Sequence, residues 1–200
     1  MPNVTVGNIR LYYEIRGNGP RLLSISGTGS DLRRPPTVFD SPLAGSFEIL
    51  AYDQRGLGRS SKPDIPYSMA DYAADAEGLL AAVGWDRCSV LGVSFGGMVA
   101  QELALRCPDR VERLVLACTS SGGAGGSSYP LHQMAALSLE ERARRMISLS
   151  DVRLDTSWQA NHPESFQQLM DQTMARLQFG ADEPGHQIGA RRQIEARIGS

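Results

Sequence analysis

The sequence predicts an α/β fold: a mostly parallel sheet with helices on both faces, followed by a segment that is helical only. Three observations predict it. Short apolar runs suited to buried strands alternate with stretches of helical period as far as residue 117. One of these runs, residues 89–91, turns through Gly92-Val93-Ser94-Phe95-Gly96 into the amphipathic stretch 98–106. Beyond Thr119 a glycine-rich connector leads into helical patterning with no further strand-like run.

The elements follow in order. Residues 3–6 and 9–15 alternate apolar and polar around Gly7-Asn8, which reads as a β-hairpin. After the turn Gly17-Asn18-Gly19-Pro20, the residues Leu22, Leu23 and Ile25 suit a short strand buried on both faces. It ends in Ser26-Gly27-Thr28-Gly29-Ser30, a loop whose glycines let backbone amides point at a ligand. Residues 47–51 form the next strand, and the polar loop 53–60 follows at its C-terminal end. Ser68-Met69-Ala70-Asp71 has the form of a capping box with Asp in place of Glu. Tyr72, Ala76, Leu79, Leu80 and Val83 then keep helical spacing until Gly84 stops the helix. Cys107-Pro108 ends the helix after Ser94, and residues 111–117 make a sixth strand. The connector 120–128 divides a core, 1–128, from a helical segment, 129–200. In that segment Ser138-Leu139-Glu140-Glu141 opens one helix, Pro163 sits in the first turn of another, and residues 185–198 form a third.

Composition narrows the function. Two hundred residues, 42% hydrophobic and 21% charged, are those of a soluble globular domain with a sizeable core. A net charge of −2 argues against nucleic acid and against an anionic membrane surface as partners. No apolar run is long enough to span a bilayer, and the N-terminus lacks a charged-then-apolar leader. Cys88, Cys107 and Cys118 are odd in number and fall in or beside core elements, so free buried thiols in a reducing cytoplasm are expected. No Cys or His pair has ligand spacing, so neither a metal nor a cofactor is expected. A nucleotide-binding Rossmann protein is disfavoured because no Gly-x-Gly-x-x-Gly opens a helix after the first strand.

The chemistry concentrates at Ser94. A serine at the tip of so tight a strand-to-helix turn takes an unfavourable backbone angle, and Gly92 and Gly96 flank it where a Cβ would collide with neighbours. The turn holds a hydroxyl at the positive end of a helix, where developing negative charge is stabilised. In an open parallel sheet the loops 26–30, 53–60 and the Ser94 turn all lie at the C-terminal strand ends, so polar chemistry converges on one crevice.

Here the chain resembles the α/β-hydrolase superfamily. The resemblance rests on Gly92-Val93-Ser94-Phe95-Gly96-Gly97, on Asp53-Gln54-Arg55-Gly56-Leu57-Gly58-Arg59-Ser60, and on Ser26-Gly27-Thr28-Gly29, which stands where the family usually has His-Gly-x-Gly. It covers residues 1 to about 130 closely, and the remainder resembles the family's helical lid. Within the superfamily the sequence looks most like enol-lactone hydrolases of the 3-oxoadipate type and small esterases. The resemblance implies that Ser94 is the nucleophile, that the amides of Thr28 and Phe95 form the oxyanion hole, and that the substrate is a small carboxylic ester or lactone. Asp53 and Arg55 are expected to orient loops rather than touch substrate.

One departure matters. The family's acid and histidine follow later strands, and neither strand is visible in a chain that stops inside or just after the lid. His132, His162 and His186 all fall in the helical region, with no strand end to hold them. Asp151, Asp155, Asp171 and Asp182 share that position, and Cys118 without a base reads as a core thiol. Two readings follow: a serine hydrolase with its general base missing from this chain, or a truncated or degenerate hydrolase that binds acyl compounds without efficient turnover. Ending the sheet at the sixth strand also leaves the apolar edge 111–117 open to self-association.

Overall fold

The computed structural model describes residues 2–121 and 129–198. The expected connector therefore lies almost wholly outside the described residues. Among the described residues six strands form one sheet: β1 (Asn3–Val6), β2 (Ile9–Arg16), β3 (Arg21–Ile25), β4 (Glu48–Tyr52), β5 (Cys88–Val93) and β6 (Val111–Ala117). Their order is β1-β2-β4-β3-β5-β6. β1 and β2 form the expected hairpin, with Gly7 at φ 56° in its turn, and β2 runs antiparallel to β4. The pairings β4–β3, β3–β5 and β5–β6 are all parallel, which makes this the α/β sheet that the alternating runs predict.

β3 lies between β4 and β5, and Leu22, Leu23 and Ile25 are buried, as a central parallel strand requires. Two helices pack on each other and on the sheet: α1 (Met69–Ala82) and α2 (Phe95–Arg106). Ser68 caps α1 by accepting from the Asp71 amide, while the Asp71 carboxylate accepts from the Ser68 amide at 2.9 Å. Gly84, at φ 71°, turns the chain out of the helix. Tyr72, Leu79 and Leu80 of α1 and Val99 and Leu103 of α2 join Leu23, Leu50 and Val90 of the strands in one buried cluster. A salt bridge lies within this packing. Arg55 donates to both oxygens of Asp75, at 2.7 and 2.8 Å, and its guanidinium sits 5.6 Å from the Tyr67 ring centroid. The other end of the sheet differs. Among the described residues β6 pairs only with β5, and Leu114, Val115 and Leu116 are all exposed, Val115 at 55%.

The described chain divides into two compact units, Met1–Tyr129 with Glu183–Ser200, and Pro130–Asp182. This partition differs from the boundary expected at 128/129, because the last helix (His186–Ile198) belongs with the sheet. It buries Ala196 in the main cluster, and Arg192 reaches Asp64 at 2.7 Å. Its Gly189 lies against the backbone of Gly56; an added Cβ there would fall 1.8 Å from the Gly56 carbonyl oxygen. The second unit is helical. After a short turn at Leu131–Ala136 come α3 (Leu139–Ser150), α4 (Thr156–Asn161) and α5 (Pro163–Gln178); with these, the final helix His186–Ile198 is α6. Ala143, Ile147 and Met170 form a small core with Leu154, Phe166, Leu169, Met174 and Leu177 around it. α3 has the expected box between Ser138 and Glu141. α4 was not legible in the sequence: it has six residues, and the Asp155 carboxylate caps it by accepting from Trp158.

Candidate active site

β5 delivers the chain to Ser94, and α2 begins at the next residue. Ser94 has φ 54° and ψ −118°, a conformation L-residues seldom adopt. Two hydrogen bonds over-determine it. Its amide donates to the Ala117 carbonyl at 2.8 Å, and its own carbonyl accepts from Thr119 Oγ1 at 2.7 Å. The turn closes only because its flanks are glycine. A Cβ on Gly96 would stand 2.0 Å from the Ile25 carbonyl oxygen, and one on Gly92 would stand 2.6 Å from that of Gly96. The Phe95 side chain is buried and meets Tyr72 edge to face, with centroids 4.9 Å apart, which fixes the first turn of α2.

The loop after β3 lies against this turn. A Cβ on Gly27 would be 3.3 Å from the Ser94 Cβ. The loop is held by Gln54 Nε2, which donates to the Ser26 carbonyl at 2.7 Å, and by Ser30 Oγ, which donates to the Gly27 carbonyl at 2.6 Å. Gln193 of α6 accepts from the Gly29 amide at 2.8 Å, and Arg34 donates to the Gly29 carbonyl at 2.7 Å. Phe95 follows Ser94 at the start of α2 and Thr28 follows Gly27 in the adjoining loop, and neither amide is engaged by another group among the described residues. Of these supports, Gln54 falls inside a recognised motif, whereas Thr119 and Gln193 had no sequence signal.

The 53–60 loop is turned inward. The Asp53 carboxylate accepts from the amides of Leu32 at 2.8 Å and Arg59 at 2.9 Å, and it fills the space a Cβ on Gly58 would occupy. Burial pushes its carboxyl up to about 6, against those two hydrogen bonds. Burial likewise raises Asp75 against its bonds from Arg55. Both carboxylates therefore hold loops and helices together.

The three histidines are dispersed. His132 and His162 belong to the helical unit; the His162 ring stacks on Trp158, with Nδ1 2.9 Å from the Trp158 carbonyl oxygen. His186 belongs to the α/β unit and is half-buried, and burial pushes its imidazole down; the Glu183 carboxylate opposes that shift and the Lys62 ammonium adds to it. Among the described residues, none of the three is hydrogen-bonded to Ser94 Oγ. All three cysteines are free thiols. Cys88 is buried, but the expectation of buried thiols fails at Cys118, which is exposed at φ 51° because it leaves the open edge strand β6. No described helix is long and apolar enough to cross a membrane.

A mostly parallel sheet with a serine at a glycine-flanked strand-to-helix turn defines a class of protein, and comparison with known proteins agrees with it. The family model described as alpha/beta hydrolase fold matches residues 21–182. The chain belongs to the α/β-hydrolase family. It is 32% identical over 196 residues to the RutD protein of Variovorax paradoxus, across 95% of this chain and 73% of that one. It is 34% identical over 145 residues to an uncharacterized protein of Mycobacterium tuberculosis, across 72% of this chain; the matched part is 42% of that protein's length. Among solved structures it resembles the enol-lactonase of Burkholderia xenovorans LB400, with a TM-score of 0.67 and 26% identity, over all of this chain and 74% of that one.

Proposed function

We propose that this chain carries the nucleophile and oxyanion-binding half of a serine hydrolase acting on a small carboxylic ester or enol-lactone. The observation that carries the reading is the Ser94 turn, with its positive φ and excluded Cβ positions, set against the Ser26–Gly29 loop. In this reading Ser94 Oγ bonds to the substrate carbonyl carbon while its proton passes to a general base. The carbonyl oxygen becomes an oxyanion between the amides of Phe95 and Thr28, each such donor being worth ~3 kcal/mol of barrier. Collapse expels the alcohol, or opens the lactone ring, and leaves an acyl group on Ser94. Water then attacks that acyl carbon and releases the acid and the free serine. The enol-lactonase likeness favours a lactone, and RutD, whose name provisionally assigns it to carbamates, keeps the same kind of carbonyl carbon in view.

None of the three histidines is the base in this reading, which favours the companion reading that the chain as given binds acyl compounds better than it turns them over. An oxyanion hole and binding alone still leave a rate on the order of 10³-fold over water. The test is hydrolysis of a short aryl ester and an enol-lactone by the purified chain beside Ser94→Ala and alanine variants at His132, His162 and His186. Slow turnover, well under the usual median of about 10 s⁻¹, lost in Ser94→Ala and untouched by the histidine variants, is expected. Hydrolysis that survives Ser94→Ala would refute the nucleophile. Fast turnover abolished by a single histidine variant would instead identify the base.

A further inference from the structure

We infer that Gln193 is a positioning residue that sets the anion-binding geometry of the Ser26–Gly29 loop from 164 positions away; this rests on the oxyanion reading above. The loop presents one candidate donor, the Thr28 amide, and a donor serves a developing charge only if its direction is fixed beforehand. A peptide unit is planar and trans, so holding one of its polar atoms fixes the direction of the other. Ser30 Oγ holds the carbonyl of the Gly27–Thr28 peptide at 2.6 Å, and the Thr28 amide must then point the opposite way. That alone leaves Thr28 free to rotate at its other side. The next peptide is held through its nitrogen, because the Gly29 amide donates to Gln193 Oε1 at 2.8 Å. Gly29 itself is at φ 67°, where glycine offers little resistance of its own, so an external tether is needed. Both peptide planes flanking Thr28 are thereby held, one by a neighbour in the loop and the other, among the described residues, by α6.

The surroundings of Gln193 support a role beyond packing. Its side chain is wholly buried, and its Nε2 has no partner among the described residues. Thr28 Oγ1 is in the same condition. An unsatisfied buried amide is costly, and for packing alone an apolar residue of that size serves better. The acceptor end of Gln193 makes a bond that no apolar residue can replace. α6 is seated closely enough to hold it in place, with Gly189 against the Gly56 backbone one side and Ala196 in the core on the other.

The experiment reads the tether and its consequence separately. Gln193→Leu and Gln193→Met remove the acceptor at similar volume, and Gln193→Glu keeps it. Amide hydrogen exchange resolved by NMR should quicken at least tenfold at Gly29 in the first two and stay protected in the third, with Leu23 of β3 unchanged as the measure of an intact core. In a Ser94→Ala background, a tetrahedral alkylphosphonate monoester should lose about tenfold in affinity on Gln193→Leu or Gln193→Met, while the matching neutral ester stays within twofold. Unchanged exchange at Gly29 would overturn the tether. A phosphonate preference that persists without the acceptor would overturn the positioning role. A parent chain that shows no preference for phosphonate over ester would instead refute the oxyanion reading, and this inference with it.

Discussion

The α/β unit and the helical unit are stabilised by different means. Twenty described side chains form one buried cluster in the first, and three form the core of the second. Every buried polar or charged side chain among the described residues, from Ser24 and Asp53 to Asp75 and Gln193, lies in the α/β unit. The helical unit instead relies on local devices: the Ser138–Glu141 box, the Asp155 cap, and surface pairs such as Glu140–Arg144. A sheet lets helices distant in sequence share one core, and that core can hold polar groups in fixed directions. A set of short helices gives little such shelter. This difference places the preorganised polar groups, and the chemistry proposed for them, in the first unit.

The largest test of that contrast is Asp75→Ala. It leaves the buried Arg55 guanidinium with only the exposed Asp71 carboxylate, 3.7 Å away, as an ion-pair partner among the described residues, and should cost about 3 kcal/mol in chemical denaturation. A loss below 1 kcal/mol would show that the pair is solvated in practice. Next comes a pH dependence. Asp53 has a folded value of about 6 against an ordinary 3.8, so the folded state binds its proton more tightly. Its contribution to stability is present below about pH 4 and is lost as pH rises through 6, amounting to at most about 3 kcal/mol. Denaturation of the parent and of Asp53→Asn between pH 4 and 7 should show that fall in the parent alone. In the helical unit, Ile147→Ala removes a third of the buried core and should cost about 2 kcal/mol, at the low end for such truncations because so small a core can collapse. Amide exchange should quicken across α3 and α5 while β3 and β5 keep their protection; quickening in both units would show that they unfold as one. The smallest effect compares like with like. Ser68→Ala and Ser138→Ala each delete a capping box, at about 1 kcal/mol apiece. In α1 the loss should disappear into global stability, and in α3 it should appear as local opening.

Much of the first unit was legible because its signals are local. The hairpin at Gly7, the box at Ser68, the stop at Gly84 and the glycine-flanked Ser94 turn each declare themselves within a few residues. What could not be read is what depends on pairing across the fold. Nothing near residue 193 marks a glutamine that holds a loop after β3, and nothing near Asp75 marks it as the partner of Arg55. The placement of α6 failed for the same reason. Its sequence is helical like that of α3 and α5, and what assigns it to the sheet are contacts distant in sequence: Gly189 on Gly56, Arg192 on Asp64 and Ala196 in the core. α4 escaped because six residues are too few for a helical period to show.

The contact between Gly56 and Gly189 also restricts how the sequence can change. Helices usually meet their neighbours through side chains, so a substitution on one side can be absorbed by a smaller residue on the other. Here backbone meets backbone, and neither position has anything left to shorten. Gly56 is doubly bound, since its φ of 83° excludes most other residues even without a neighbour. The severer limit is at Gly189, where an added Cβ would fall 1.8 Å from the Gly56 carbonyl oxygen and the backbone itself would have to move. Drift at this contact requires the helix itself to lift away, and with it the side chain that holds the Gly29 amide.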